Sequence, residues 1–285
     1  MATHTTEAYS HVGAIIRRTL FVLTLMTVSL SPTYASSNSK SLDLYIQPVM
    51  DSIKTEQAYQ PLAQYLAQLT GQEVNIRTSP NFLSYWSSVT KKKTNALYLD
   101  AAHFTAYRAR KMGFEVIAKM PDSVSYSIIV RDSEMVFDAS ELVGRRIASL
   151  GAPSIGAARL GNMFPNPSRQ PVLVEVFDSQ SGIDMLLNNK VYAAIIPTPL
   201  VSALMNNDGQ VNVVTTTMLV PHIALSASPD ISKDIVSKIR GALLGAVKTD
   251  KGKAMLKGIG FAKFEMASKA TYAQQDKILN NYWGY

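Results

Sequence analysis

The sequence predicts an α/β protein of two lobes. Three observations carry that expectation. Short β-rich runs alternate with helical stretches along most of the chain. Several helical stretches open at a capping residue such as Asp138 or Asp178, or close on a glycine such as Gly71 or Gly113. A second series of such units starts near Asp138, and an extended segment at His222 to Ser226 leads the chain back to the first.

Taken in order, Leu42 to Ile46 reads as a strand closed by Pro48. Thr55 to Thr70 reads as an amphipathic helix, because Tyr59, Leu62, Ala63, Leu66 and Leu69 recur at helical spacing. Gly71 suits its C-terminal cap. Glu73 to Arg77 is the second strand, and Ser79-Pro80-Asn81 starts a helix from Phe82 to about Lys91. Ala96 to Leu99 is a third strand, followed by a helix from about Ala102 to Met112. Glu115 to Ala118 and Ser125 to Val130 are further strands, the latter the expected first crossing between lobes.

In the second lobe Asp138 caps a short helix over Ala139 to Val143. Arg146 to Leu150 is a strand, Gly151 to Gly156 a turn, and a helix follows. Val172 to Val176, a helix from Asp178 to Asn188, a strand from Val191 to Ile196 and an extended run over Val211 to Thr216 complete the lobe. Three helices are expected at the end: about Ile231 to Lys248, Asp250 to Lys257 and Ala270 to Asn281.

The first 35 residues have the order of an export signal. Arg17 and Arg18 precede the apolar run Leu20 to Leu30, and Thr33-Tyr34-Ala35 offers small residues for cleavage after Ala35. The apolar run is shorter than the ~20 helical residues that span a bilayer. The twin-arginine route is the alternative to the general one. The remaining chain is expected in the periplasm, soluble and monomeric.

Apolar residues make up 47% of the chain and charged residues 17%, the balance of a packed globular protein. There is no cysteine, which excludes disulfides, thiolate catalysis and iron–sulfur or cysteine-bound zinc sites. The net charge of +7 favours anionic partners. Its one dense run, Lys91-Lys92-Lys93, lacks interleaved aromatic residues and carries no expectation of nucleic-acid binding. No serine–histidine–acid order, HExxH, Walker loop or dinucleotide fingerprint occurs, so no enzymatic activity and no cofactor are expected. With only His103 and His222 after the leader, no metal site is expected.

Four stretches then carry a resemblance: Tyr59 to Leu66 with Gly71 and Val74; Asn95 to Ala109; Ser140 to Ala148; and Asp184 to Ala194. In order and spacing they resemble the substrate-binding proteins of phosphonate, phosphite and phosphate ABC importers. The resemblance covers nearly all of Leu42 to Tyr282. It implies the type II periplasmic binding fold, with mixed sheets flanked by helices and a ligand cleft between lobes. It also implies an oxyanion held by hydroxyls and by backbone N–H groups at helix N-termini. Lobe 1 is expected over 36–130 plus 222–285 and lobe 2 over 131–221. The anion loop of this family is usually serine-threonine-serine-glycine after a proline, whereas this chain has Pro153-Ser154-Ile155-Gly156. The histidine common near Ser179 is replaced by Gln180-Ser181, the aspartate of the following strand by Tyr192, and the tyrosine opening the second helix by Phe82.

Ser154 and Gly156 are the leading ligand candidates, since a small residue and a glycine before a helix let amides approach an anion; the alternative is an ordinary capped turn. Asp100 and His103 lie where a strand ends and a helix begins, the edge at which open α/β sheets bind ligands. Their alternatives are an N-cap and a solvated first-turn residue. Phe82 or Tyr85 faces the ligand or belongs, with Trp86, to the core. Gln180 and Ser181 replace the missing histidine as neutral donors. Thr198 touches ligand or serves its turn. The expected function is capture of a small phosphonate- or phosphate-like solute for an ABC permease. The alternative is a sensing module that presents the same fold to a membrane sensor kinase or receptor.

Overall fold

The computed structural model describes residues 41–207 and 209–285; the expected leader, 1–35, lies outside the described residues. The chain forms β1 (Leu42–Ile46), α1 (Ser52–Thr70), β2 (Val74–Arg77), α2 (Phe82–Val89), β3 (Ala96–Asp100), α3 (Ala102–Lys111) and β4 (Glu115–Lys119). It crosses through β5 (Ser123–Val124) into β6 (Tyr126–Arg131), β7 (Arg146–Ser149), α4 (Ile155–Met163), β8 (Val172–Glu175), α5 (Ser179–Leu187), β9 (Ala193–Pro197), α6 (Thr198–Asn206) and β10 (Val211–Thr216). It returns through β11 (Val220–Pro221) to β12 (Ala224–Ala227), α7 (Lys233–Leu244), α8 (Asp250–Gly258) and β13 (Glu265–Met266).

Two mixed sheets result. One has the order β13-β4-β12-β3-β1-β2, with β1 parallel to β2 and β3, and β12 antiparallel to β3 and β4. The other has the order β10-β6-β9-β7-β8, with β7 parallel to β8 and β9, and β6 antiparallel to β9 and β10. β6 therefore belongs to the second sheet, and the expected lobe boundary at residue 130 falls inside it. The crossings are tied together. Val220 pairs with Val124 and Pro221 with Ser123, and the Thr217 N–H donates to the Tyr126 carbonyl at 2.8 Å.

The local chemistry explains most of these elements. Asp51, Asn81, Ser154, Asp178 and Ser232 cap their helices with side-chain oxygens. Gly71 ends α1 at φ +69°, where a side chain would be strained. Alternation places Ile129, Ala148, Ala194 and Ile196 on the face of the second sheet covered by α5 and α6. Ile128, Val130, Ile147, Ala193 and Ile195 lie on the face covered by α4. The first sheet packs α1, α7 and α8 on an aliphatic face. Phe82, Tyr85, Trp86, Tyr98, Phe104, Tyr107 and Phe114 form its aromatic layer.

Two expectations are corrected. Thr198 to Asn206 is a helix, not only a turn; Pro199 in its first turn needs no N–H partner there. Ala270 to Asn281 is not one helix but two short 3₁₀ turns, Lys269–Tyr272 and Gln275–Leu279. Ala273 is extended and Gln274 sits at φ +68°, which breaks the helix. Tertiary contacts select that break: the Tyr272 hydroxyl donates to the His222 carbonyl at 2.6 Å, and Arg110 pairs with Asp276.

At the end of β3, Arg108 and Asp100 form a bidentate ion pair with both contacts at 2.7 Å and both side chains fully buried. Tyr85 Oη and Thr105 Oγ1 also donate to the carboxylate, at 2.7 and 2.9 Å. Removing one partner strands a buried charge. Arg108→Met is expected to lower unfolding free energy by about 3–5 kcal/mol in urea titration. The double variant Asp100→Leu/Arg108→Met is expected to lose less than the single one, because no unpaired charge remains.

Candidate ligand-binding site

The C-terminal ends of β1, β3, β7 and β9 meet where the two sheets face one another, the edge at which such sheets place ligands. Gln47 follows β1, Ala101 follows β3, Leu150 follows β7 and Pro197 ends β9. All four line two adjoining cavities. The smaller has a volume of about 20 Å³, room for one water-sized group. The larger has a volume of about 470 Å³.

Phe82, Ser149, Ser154, Ile155 and Gly156 line the smaller cavity. Ser154 Oγ accepts from the Ala157 N–H at 3.2 Å and so caps α4. The N–H groups of Ile155 and Gly156, the first two of α4, have no hydrogen-bond partner among the described residues, as helix geometry requires. Ser149 Oγ is also without a partner among the described residues, although the residue is only 2% exposed. Ser149 shares the lining of this cavity with Ile155 and Gly156, and a buried hydroxyl left unsatisfied costs free energy.

Gln47 Oε1 accepts from the Ala101 N–H at 3.0 Å, which leaves its Nε2 group as a free donor. The Tyr126 hydroxyl makes no hydrogen bond with the described residues, and burial holds its pKa above the ordinary value. Gln47 and Tyr126 line both cavities. Among the described residues no lysine or arginine lines either one, and Asp178 is the single ionised side chain in their walls.

The residues singled out from sequence divide into groups. Phe82, Ser154 and Gly156 share the small cavity. A Cβ at Gly156 would meet Tyr126 Cδ1 at 3.5 Å, an ordinary contact, so the backbone does not demand glycine there. Gln180 lines the larger cavity, while its Nε2 donates to Asp184 Oδ1 at 2.9 Å. Ser181 faces its own cap: its N–H donates to Asp178 Oδ1 at 2.7 Å, and its side-chain and backbone hydrogen bonds lower the Asp178 pKa. Thr198 lines neither cavity; its hydroxyl lies 2.9 Å from both Ser125 Oγ and Ser127 Oγ.

Asp100, Tyr85 and His103 are fully buried and turned toward protein partners. Asp100 does not cap α3, because its carboxylate is taken by Arg108, Tyr85 and Thr105; Ala101 occupies the cap without a side-chain bond. His103 is likewise no solvated first-turn residue. Its Nε2 donates to the Pro153 carbonyl at 2.9 Å, so it buttresses the turn that carries Ser154. Gln47, Ser149 and Tyr126 were not singled out from sequence. The signal that found Asp100, a polar residue at a strand's C-terminal end, applies equally to Gln47 and Ser149.

Over residues 44–272 the chain matches the family described as ABC transporter, phosphonate, periplasmic substrate-binding protein. The chain belongs to this family. Members are periplasmic substrate-binding proteins of transporters. Among solved structures it is similar to PhnD1 from Prochlorococcus marinus in complex with methylphosphonate, at 13% identity and a TM-score of 0.69 over 85% of this chain and 98% of that one. A binding protein component of an ABC phosphonate transporter from Pseudomonas aeruginosa gives 13% identity and a TM-score of 0.64, covering 81% and 83%. A protein from Xanthomonas citri bound to ATP gives 12% and 0.67, covering 84% and 96%. No curated protein matches the chain. The fold is that of type II periplasmic binding proteins.

Burial lowers the His103 pKa to about 4, so the ring is neutral in the folded protein. The unfolded chain takes up this proton near pH 6.5 and the folded one only near pH 4. The contribution of His103 to stability is therefore complete above about pH 6.5 and is lost progressively toward pH 4, on the order of 3 kcal/mol in total. Thermal melts across that range should show a steeper acid-side fall for the wild-type protein than for His103→Gln.

Proposed function

We propose that this protein captures a small phosphonate- or phosphate-like oxyanion between two lobes and delivers it to an ABC permease. The observation that carries the reading is the buried Ser149 hydroxyl, unpartnered among the described residues, in the same small cavity as the start of α4 at Ile155 and Gly156. Together they form a donor set without a cation. A helix N-terminus carries about half a positive charge, and in a low-dielectric interior each hydrogen bond to an anion is stronger than in water. Gln47 Nε2, just after β1, and the Tyr126 hydroxyl, at the start of β6, supply further donors. The lobes are the two sheets with their helices, and the paired crossings at Ser123–Val124 and Val220–Pro221 act as the hinge over which they close. The proposed sequence of events is export through the leader, capture, closure and docking. It involves no covalent step.

Isoleucine at position 155, where related loops carry a hydroxyl, supports a second reading, in which the same fold reports to a membrane sensor kinase. Binding chemistry decides first. Purified 36–285 should be stabilised by methylphosphonate or phosphate. At 100 times the dissociation constant the gain is about 2.7 kcal/mol, a melting shift of roughly 5–10 °C for a domain of this size. Ser149→Ala should keep ligand-free stability close to wild type yet bind at least about 10-fold more weakly. Ser154→Asp keeps the cap but adds a negative charge, and should abolish binding. Absence of stabilisation by any small oxyanion, or unchanged affinity in Ser154→Asp, would overturn the transport reading at this site.

A further inference from the structure

We infer that the solute is amphipathic: an oxyanion head on the α4 turn and an apolar body of several carbons in the larger cavity. The inference rests on the proposed oxyanion site and deepens it by naming the substrate class. The small cavity accepts one water-sized group, so an oxygen of the head enters it while the rest of the solute lies outside. What lies outside is a cavity of about 470 Å³ that shares Gln47, Ala101, Tyr126 and Ile155 with the first.

Its walls are chiefly aliphatic. Val49 and Leu150 stand at the junction, and Val124, Leu200, Val220 and Ile223 continue outward. Val49 and Leu150 follow β1 and β7, Leu200 lies in α6, and Val124, Val220 and Ile223 belong to the crossings and the loop after them, so a body lying there touches segments attached to both sheets. The cavity's polar lining is Gln47, Tyr126, Asp178, Ser179, Gln180 and His222, of which Gln47 and Tyr126 stand at the junction with the small cavity. Asp178 is the single ionised wall residue, and its carboxylate is committed to the cap of α5. His222 contributes a neutral ring: its Nδ1 accepts from the Ile223 N–H at 2.8 Å, and burial and the nearby Lys119 lower its pKa. An apolar body loses no hydrogen bonds there and removes aliphatic wall from water.

Titration calorimetry with alkylphosphonates tests this. Affinity should rise from methyl- through propyl- to hexylphosphonate by about 3- to 4-fold per methylene, the equivalent of roughly 0.8 kcal/mol each. Propylphosphonate should bind more tightly than 2-aminoethylphosphonate, which has the same heavy-atom count but ends in an ammonium group. Leu200→Glu introduces a charge at a position already 44% exposed, and should flatten the chain-length dependence. Equal affinity for methyl- and hexylphosphonate, or preference for the aminoethyl compound, overturns the apolar-body inference and leaves the oxyanion site standing. Binding of none of the phosphonates overturns the apolar-body inference, and with no binding of phosphate either it overturns both.

Discussion

The buried pair between Arg108 and Asp100 is the constraint on which the cleft depends. Asp100 is the last residue of β3, and Arg108 lies two turns along α3. Their bidentate contact fixes where α3 begins. Arg108 also donates to Ser226 of β12 at 3.2 Å, and its guanidinium lies over the Tyr98 ring at 4.0 Å. Burial works against the charge, but the facing carboxylate, by attraction and hydrogen bonds, raises the Arg108 pKa. Such a pair adds little net stability, because desolvating two ions offsets most of their attraction. What it supplies is registry. With α3 held, Ala101 and Ala102 form one wall of the cleft and His103 reaches Pro153 across it.

That reach links the two sheets at the most consequential place. Pro153 immediately precedes the Ser154 cap, so the turn presenting the free α4 amides is supported from the other sheet by a neutral, desolvated imidazole. A charged histidine would not be tolerated there, which accounts for the direction of its pKa. The chain's positive charge is spent elsewhere. Among the described residues no lysine or arginine lines the two cavities, and the small one is lined by hydroxyls, backbone and apolar side chains.

Much of the fold was legible along the chain. The apolar spacing of α1, the capping Asn81 and Asp178, and the glycine at 71 are signals between residues within a few positions of each other. The corrections fall where that locality fails. Gln274 is turned into a left-handed conformation so that Tyr272 and Asp276 can reach His222 and Arg110. Thr198 sits between two prolines, which read as a turn until Pro199 is recognised as the start of α6.

The site was legible only in outline. Ser154, Gly156 and Phe82 were recognisable from the turn and the helix start they occupy, and they do line the cleft. Asp100 and His103 carry the same signal and face inward, because Arg108 and Pro153 hold them there. Ser149 and Gln47 carry it too, and they face outward into the cavities. The sequence by itself determined the alternation of strands and helices, their caps and the resemblance to solute-binding proteins, since these follow from periodicity and from neighbouring residues. Only the tertiary structure decided which strand-end polar groups keep a free hydrogen bond. That choice depends on partners far away in the chain, and it separates a donor held in the core from one presented to a solute.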